Sequence, residues 1–171
     1  KNEKTSKSDW ARQEENNTTE QQKLTLQQAI DLAMQHHTAG ELPKAEIFYQ
    51  KILQNNPNQP DALHLLGVIS HQRRKNDTAV DLITQALQIR PNYAEANYNL
   101  GLALQNLGKR DEAIKRCRKA VTIKPNYVET HNNIGNILKE FWQPDEAVAS
   151  CHKAIAIKPD YAEARNSLGN T

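Results

Sequence analysis

Histidine is the residue type in this sequence whose spacing first suggests chemistry. His37 and His71 lie 34 residues apart, and His64 and His71 lie seven residues apart, about two turns of a helix. Zinc usually needs three or four ligands about 2 Å from one ion. Two histidines on helices about 8–10 Å apart barely converge on such a point. The sequence therefore predicts no metal site.

The other reactive side chains form no catalytic arrangement of recognisable spacing. We find no nucleophile beside a base, no glycine-rich phosphate loop and no isolated pair of carboxylates. Cys117 and Cys151 also lie 34 residues apart, and we expect both to be small buried apolar side chains without a disulfide. The sequence therefore predicts no enzymatic activity and no cofactor.

The 34-residue spacing organises the chain from Leu24 onward. Two sets of residues recur with it: Gly67, Gly101, Gly135 and Gly169, and Pro57, Pro91, Pro125 and Pro159. A period of this length is typical of stacked helical hairpins. We therefore divide residues 24–171 into units 26–59, 60–93, 94–127 and 128–161 and a partial fifth unit, 162–171.

Each unit is predicted to form two amphipathic helices. In the third unit, Leu100 and Leu104 recur at helical spacing, and a second apolar series begins at Ala113 after a break at Gly108. Proline ends each second helix because it restricts the residue before it. Nine helices are predicted, at about 25–39, 43–55, 60–74, 77–89, 94–107, 110–123, 128–141, 144–157 and 162–170.

The glycine column is expected to permit close packing between the two helices of a unit. Glycine within a helix costs about 1 kcal/mol relative to alanine. A second column, formed by Ala79, Ala113 and Ala147, lies on the other helix. We expect glycine and alanine to face each other. Each helix pair then leaves an apolar face that only the next pair can cover.

These features resemble the tetratricopeptide repeat (TPR), whose unit has a leucine–glycine pair, a later alanine and a terminal proline. The pair occurs here as Leu66-Gly67, Leu100-Gly101, Ile134-Gly135 and Leu168-Gly169. The resemblance implies an all-α fold, a right-handed superhelical solenoid of antiparallel helix pairs. It also implies that the first helix of each unit lines a concave groove, and that the chain is a scaffold for proteins or peptides.

When the residues that recur every 34 positions are placed on the first helices, they predict a surface for an extended peptide or protein segment in that groove. Asparagine amides can donate to and accept from a peptide backbone, while apolar positions can select its side chains. The candidate residues are Met34, His37, His64, Leu65, Val68, His71, Tyr98, Asn99, Leu102, Asn132, Asn133 and Asn136. The alternative is that they are ordinary solvated helix-surface residues.

Two further expectations depend on this placement. Alanine at Asn99, Asn132 and Asn133 together should abolish partner capture without lowering the melting temperature. The column formed by Asp61 and Glu95, which Glu129 and Glu163 continue, should make one rim acidic and favour a ligand with some positive charge.

Two other functions are compatible with the repeats. PDALHLLGVISHQ and PNYVETHNNIGNILKE are similar to repeats that precede the catalytic region of bacterial relatives of O-linked N-acetylglucosamine transferases. This resemblance implies a substrate-recruiting region of a larger glycosyltransferase, with Asn99 and Asn133 in the family's asparagine ladder. The third reading is a self-assembling structural adaptor, since the partial fifth unit would leave one face open to end-to-end contacts at high concentration.

Charge and composition narrow the choice of partner. Lys+Arg 22 against Asp+Glu 20 gives a net charge of +2, so neither nucleic acid nor an anionic membrane is an expected partner. No apolar run approaches the roughly 18 residues of a membrane span. We expect a cytoplasmic protein, although a targeting segment ahead of Lys1 would be compatible with the sequence.

Residues 1–23 differ in composition from the repeats. Trp10 and Ala11 are their only apolar residues, so this stretch cannot bury enough surface to offset its ordering entropy. We expect a polar tail or linker. The alternative is a short helix at DWARQEE with Trp10 docked on the first repeat.

Overall fold

The structure, a computed structural model, describes residues 25–140 and 143–169. The expected tail at residues 1–23 lies outside this part of the chain. Nine α-helices and no strands occur in the described residues. They are α1 (Leu26–Thr38), α2 (Leu42–Asn55), α3 (Pro60–Gln72), α4 (Asn76–Ile89), α5 (Ala94–Asn106), α6 (Arg110–Ile123), α7 (Val128–Glu140), α8 (Pro144–Ile157) and α9 (Ala162–Gly169). Every boundary lies within two residues of its predicted position.

Local sequence explains where the helices begin and turn. The Thr25 hydroxyl accepts a hydrogen bond from the Gln28 backbone, and the Gln28 side chain accepts one from Thr25, which forms a capping box at α1. Gly40 and Gly108 have φ values of 75° and 73° in the turns after α1 and α5, where glycine is unstrained. Arg74 takes the same position after α3 with φ 61°, an uncommon conformation for a side chain of this size.

The helices stack in chain order. Within each unit the two helices pack against each other, and each second helix packs against the next first helix. The first helices α3 and α5 also contact each other directly. The first helices therefore line the more closely packed, inner side of the stack, and we call the solvent-facing side of α1, α3, α5 and α7 the inner wall.

The glycines lie against the backbone of the predicted alanines, and a further side chain on the second helix lies closer still. A Cβ added at Gly101 would lie 2.6 Å from the Cys117 Sγ and 3.3 Å from the Ala113 carbonyl oxygen. Gly135 meets Cys151 in the same way, and Gly67 meets the side chain of Ile83. The space left by the missing Cβ of each glycine is thus occupied mainly by a side chain of the second helix, four residues after the alanine of that helix. This explains why both cysteines are buried free thiols within the helix pairs.

None of the described helices is both long enough and apolar enough to cross a membrane.

Candidate functional site

The predicted groove residues differ in exposure. Met34 is 43% exposed, whereas His64 is 3%, Asn132 8% and Asn133 9% exposed. The remaining members are half-buried: His37, Leu65, Val68, His71, Tyr98, Asn99, Leu102 and Asn136. The structure thus separates residues that hold the array together from residues that a ligand can reach.

His64 joins the second and third repeats through a chain of hydrogen bonds. The Asn99 amide nitrogen lies 2.8 Å from His64 Nε2, and the Tyr93 hydroxyl lies 2.9 Å from His64 Nδ1. Since the Asn99 amide nitrogen can only donate, His64 Nε2 accepts from it, and His64 donates its ring proton from Nδ1 to the Tyr93 hydroxyl.

The environment of His64 keeps its imidazole neutral. Burial lowers the pKa of His64 to about 4, although the carboxylates of Asp61 and Glu95 act in the opposite direction. A neutral imidazole matches the hydrogen-bond directions above, because it donates from one ring nitrogen and accepts at the other. His64 and Asn99 therefore form an internal contact between repeats.

Two members of the acidic column, Asp61 and Glu95, are each paired with a cation of the chain itself. Arg90 donates two hydrogen bonds to Asp61, at 2.8 and 3.0 Å. Burial alone would raise the pKa of Asp61, but the hydrogen bonds from Arg90 and Tyr93 hold it below its usual range. Lys124 likewise lies 3.0 Å from Glu95.

Each of these cations also lies over a tyrosine ring. Arg90 is 4.8 Å from the Tyr93 ring centroid, and Lys124 is 4.7 Å from that of Tyr127. Such cation–π contacts contribute about 0.5–1 kcal/mol at exposed sites. Acid, base and tyrosine thus form one repeated connection within a unit, between the beginning of its first helix and the turn after its second helix.

The asparagines of the fourth repeat also have partners within the chain. The Ser167 hydroxyl of α9 lies 3.1 Å from Asn132 Oδ1 and 2.9 Å from Asn136 Oδ1. Lys139 donates to the Ser167 carbonyl at 3.0 Å. The Asn133 amide lies 3.6 Å from the Cys117 Sγ. These contacts attach α9 and α6 to α7, so Asn132 and Asn133 have structural roles.

The other two histidines predicted to lie on the wall, His37 and His71, have separate partners. His37 Nε2 lies 3.2 Å from the Gln72 side-chain oxygen, which connects α1 to α3. His71 Nδ1 donates to the Asn76 side-chain oxygen at 2.9 Å. The described residues contain no group of three or more His, Cys, Asp or Glu side chains placed to hold a metal ion.

One line of side chains on the inner wall takes no part in these connections, apart from its last member, Asn136, which accepts from Ser167. It comprises Met34 on α1, Val68 on α3 and Leu102 on α5, and Asn136 continues it on α7. The first three are apolar and at least partly accessible to solvent. We call Met34, Val68, Leu102 and Asn136 the accessible row.

Tyr98 belongs neither to the residues that are hydrogen-bonded within the chain nor to the accessible row. Its ring centroid lies 5.1 Å from that of Tyr127, with the two planes inclined at 51°. Burial raises the pKa of Tyr98 to about 12, so its phenol is neutral at physiological pH. The half-buried pair gives the third repeat an aromatic edge beside the accessible row.

Sequence reasoning missed several of the residues that shape this wall. Tyr93 and Tyr127 were not among the predicted site residues, although tyrosine recurs with the 34-residue period at positions 93, 127 and 161. Arg90 and Lys124 recur three residues earlier in the same units. A basic residue followed three positions later by a tyrosine, repeated every 34 residues, is the sequence pattern that could have predicted the contact between the two side chains.

The geometry described above defines a class of protein, an all-α repeat solenoid with an open inner wall. Two family models match the chain: one described as Tetratricopeptide Repeats-Sensor over residues 75–163, and one described as Tetratricopeptide repeat over residues 48–81. The first spans just over half of the 171 residues. The chain belongs to the tetratricopeptide repeat family.

Solved structures agree with this assignment. MamA is 25% identical, with a TM-score of 0.73 and coverage of 81% of each chain. Cut9, in a hetero-tetramer with Hcn1 of the APC/C, is 24% identical with a TM-score of 0.82 over 86% of this chain and 30% of its own. PilF of Pseudomonas aeruginosa is 20% identical with a TM-score of 0.79, over 85% of this chain and 66% of its own. No curated protein sequence matches the chain.

The right-handed superhelical solenoid expected from the sequence is confirmed by these similarities. TPR proteins typically act as non-catalytic scaffolds that bind proteins or peptides, and the family and fold support a role of this general kind here.

Proposed function

We propose that the chain is a scaffold that binds an extended peptide segment along the accessible row. The observation that carries this proposal is the row itself. Met34, Val68 and Leu102 occupy the same position on three successive first helices, while polar residues around them are bonded within the chain. Apolar side chains presented in line on a concave wall are suited to receiving apolar side chains of a ligand. Cut9, which has this fold, is found in a complex with Hcn1, in line with such a role.

The spacing of the row favours a particular ligand pattern. Packed helices lie about 8–10 Å apart, and a polyproline II chain advances about 3.1 Å per residue with three residues per turn, so that side chains three positions apart share a face. One repeat of the wall therefore corresponds to roughly three residues of a ligand in this conformation. We expect bound peptides to carry apolar residues three positions apart, in contact with Met34, Val68 and Leu102.

The polar end of the row should hold the ligand backbone. Asn136 accepts from Ser167, and its amide nitrogen has two hydrogens available for donation. Backbone carbonyls of a ligand are acceptors that match this donor without requiring a particular side chain. The apolar row residues of the first three repeats would then select the side chains of the ligand, and Asn136 of the fourth repeat would bind its backbone whatever its sequence.

Variants that copy residues from neighbouring repeats test this proposal with little risk to the fold. Leu102→Asn reproduces Asn136, which lies one repeat later in the same column, and Val68→Asn makes the same change one repeat earlier. Ile89→Asn is the matched control, since Ile89 is 41% exposed at the end of α4 and Asn55 holds its position in the first repeat.

The measurement is selection from a library of random displayed peptides, followed by titration of the selected peptides against each variant. We expect sequences with apolar residues three apart, and binding weakened at least about tenfold by Val68→Asn with Leu102→Asn. Ile89→Asn should leave binding unchanged. Equal binding to the wild type and the double variant would show that the accessible row is not the site.

The triple alanine variant at Asn99, Asn132 and Asn133 is a poor test in view of the structure. Asn99 donates to His64, and Asn132 and Asn133 are buried and bonded to α9 and α6. Their removal would weaken contacts between repeats. Lost capture in that variant would not distinguish lost binding from a disturbed fold.

A further inference from the structure

An apolar groove lies at the beginning of the array, apart from the accessible row. It has a volume of about 530 Å³, and Phe48 and Leu26 are its largest apolar side chains. Its principal lining residues are Leu26, Ala29, Phe48, Lys51, Ile52 and Asn55. Leu26 is 38% exposed, and Phe48 stacks on His36 with ring centroids 5.2 Å apart.

The residues at the positions of Leu26 and Ala29 are less exposed in the second and third repeats. Ala94 is the counterpart of Leu26 and is 5% exposed, while Leu63 is the counterpart of Ala29 and is 4% exposed. These residues lie on first helices against which the preceding second helix packs. No such helix precedes α1 in the described part of the chain. The first repeat nevertheless carries a larger apolar residue, Leu26, where the third repeat has alanine.

The chain itself contains a segment of suitable composition that leads directly into this groove. Within residues 1–23, Trp10 is the one large apolar residue, and it precedes Thr25 by 15 residues. Fifteen residues span up to about 50 Å when extended, which is more than enough to return to α1. Burying a tryptophan removes about 150–250 Å² of surface from water. A tether of this length also provides an effective concentration in the millimolar range.

The charges near Trp10 are weakly complementary to the groove. Within five residues of Trp10, the carboxylates of Asp9, Glu14 and Glu15 outnumber the cations Lys7 and Arg12 by one, and Lys51 lines the groove. We propose that Trp10 occupies the groove formed by Leu26, Ala29, Phe48 and Ile52, so that the segment before the first repeat covers its open face. This proposal does not depend on the peptide-binding function proposed above.

The test uses the fluorescence of Trp10 in the full chain. The sequence has two tryptophans, Trp10 and Trp142, so Trp142→Phe leaves Trp10 as the only one. Phe48→Arg then removes the groove's aromatic side chain and reproduces Arg116, and Leu26→Ala reproduces Ala94. Ile47→Lys is the matched control, because Ile47 is 52% exposed beside Phe48 and Lys115 holds its position in the third repeat.

We expect the Trp142→Phe protein to show a blue-shifted emission maximum and slow quenching by acrylamide. Phe48→Arg should shift the emission to the wavelength of the unfolded chain and raise the quenching constant several-fold, while Ile47→Lys should change neither. Circular dichroism identifies any loss of helix. If Phe48→Arg unfolds α1 and α2, Leu26→Ala provides the comparison, and the same red shift is expected.

Three results would overturn the proposal. Trp10 emission equal to that of the unfolded chain would show that the tryptophan stays in water. A blue shift that Phe48→Arg and Leu26→Ala leave unchanged would place Trp10 elsewhere. A blue shift lost on dilution would mean that Trp10 docks on a second copy, in agreement with the self-assembling adaptor considered from the sequence.

Discussion

His64 shows how a residue of the inner wall can serve the array instead of a ligand. Its ring accepts from Asn99 of the next repeat and donates to Tyr93. The bond from Asn99 requires a neutral imidazole, whose single ring proton then lies on Nδ1. Protonation would place a second proton on Nε2, opposite the Asn99 amide nitrogen, and would leave two donors facing each other.

The folded protein should therefore lose stability in mild acid. The pKa of His64 is lowered from 6.5 to about 4 by burial, so the unfolded chain binds the proton more readily than the folded one. Unfolding is then favoured as the pH falls below about 6.5. The free energy of unfolding should fall by roughly 2 kcal/mol by pH 5 and roughly 3 kcal/mol by pH 4.

The measurement is urea unfolding of the wild type and His64→Asn between pH 7 and pH 4. Asparagine is the residue at this position in the fourth repeat, Asn132, and it does not titrate. The difference in free energy between the two proteins should shrink as the pH falls. The lowered pKa of Asp61 acts at more acidic pH, and a pH-independent difference would contradict a buried neutral His64.

At the scale of the helix pair, the glycine column permits the two helices to approach. Gly101→Ala should destabilise the protein by up to about 2 kcal/mol, because overpacking costs about 1–3 kcal/mol and the gain in helix propensity offsets about 1 kcal/mol. The new Cβ would lie 2.6 Å from the Cys117 Sγ. Thermal or urea unfolding of the single variant measures this loss.

A double-mutant cycle identifies the cause. In a Cys117→Ala background the sulfur is absent, and the nearest atom to the new Cβ is the Ala113 carbonyl oxygen at 3.3 Å. Gly101→Ala should then be less destabilising by at least about 1 kcal/mol. Gly169→Ala is the control, since its Cβ would meet nothing within 4 Å. Equal losses in both backgrounds would exclude the sulfur contact as the cause.

The helices were predictable from the sequence because their signals are local. Proline, glycine and the apolar spacing lie within each unit, so the bounds of α3 and α5 could be placed closely. The roles of the wall residues depend on neighbours about one period away. Asn99 contacts His64 from 35 residues earlier, and Ser167 contacts Asn132 at the same separation. No pattern within one repeat distinguishes these bonded amides from accessible ones.

Within the described part of the molecule, most of the large buried apolar side chains fall into two clusters. One contains residues of α1, α2 and α3, including Ile30, Tyr49 and Ile69. The other extends from Ile83 on α4 to Ala147 on α8. The two meet where α3 packs on α4, at Gly67 and Ile83. In a repeat array, stability is approximately a sum of units and neighbouring interfaces, so the clusters can open with different free energies.

We expect native-state hydrogen exchange to separate these clusters. Ile52→Ala removes a buried side chain of the first cluster and reproduces the alanine of later repeats, and Ile137→Ala does the same in the second cluster, where Ala103 is the counterpart. Each change should cost about 2–4 kcal/mol. Ile52→Ala should accelerate exchange in α1, α2 and α3 and leave α5 to α8 protected, whereas Ile137→Ala should accelerate exchange in α5 to α8.

The two variants control for each other because both replace isoleucine by alanine at buried positions. If the array unfolded as one unit, either change would lower the opening free energy of every strongly protected amide by the same amount. Exchange followed by mass spectrometry of peptides from each helix distinguishes the two cases. A selective response to Ile52→Ala would show that the first cluster opens without the second, and the accessible row passes from one cluster to the other between Val68 and Leu102. A ligand that spans these two residues would then join both clusters, so its binding should slow exchange in α1, α2 and α3 more than in α5 to α8.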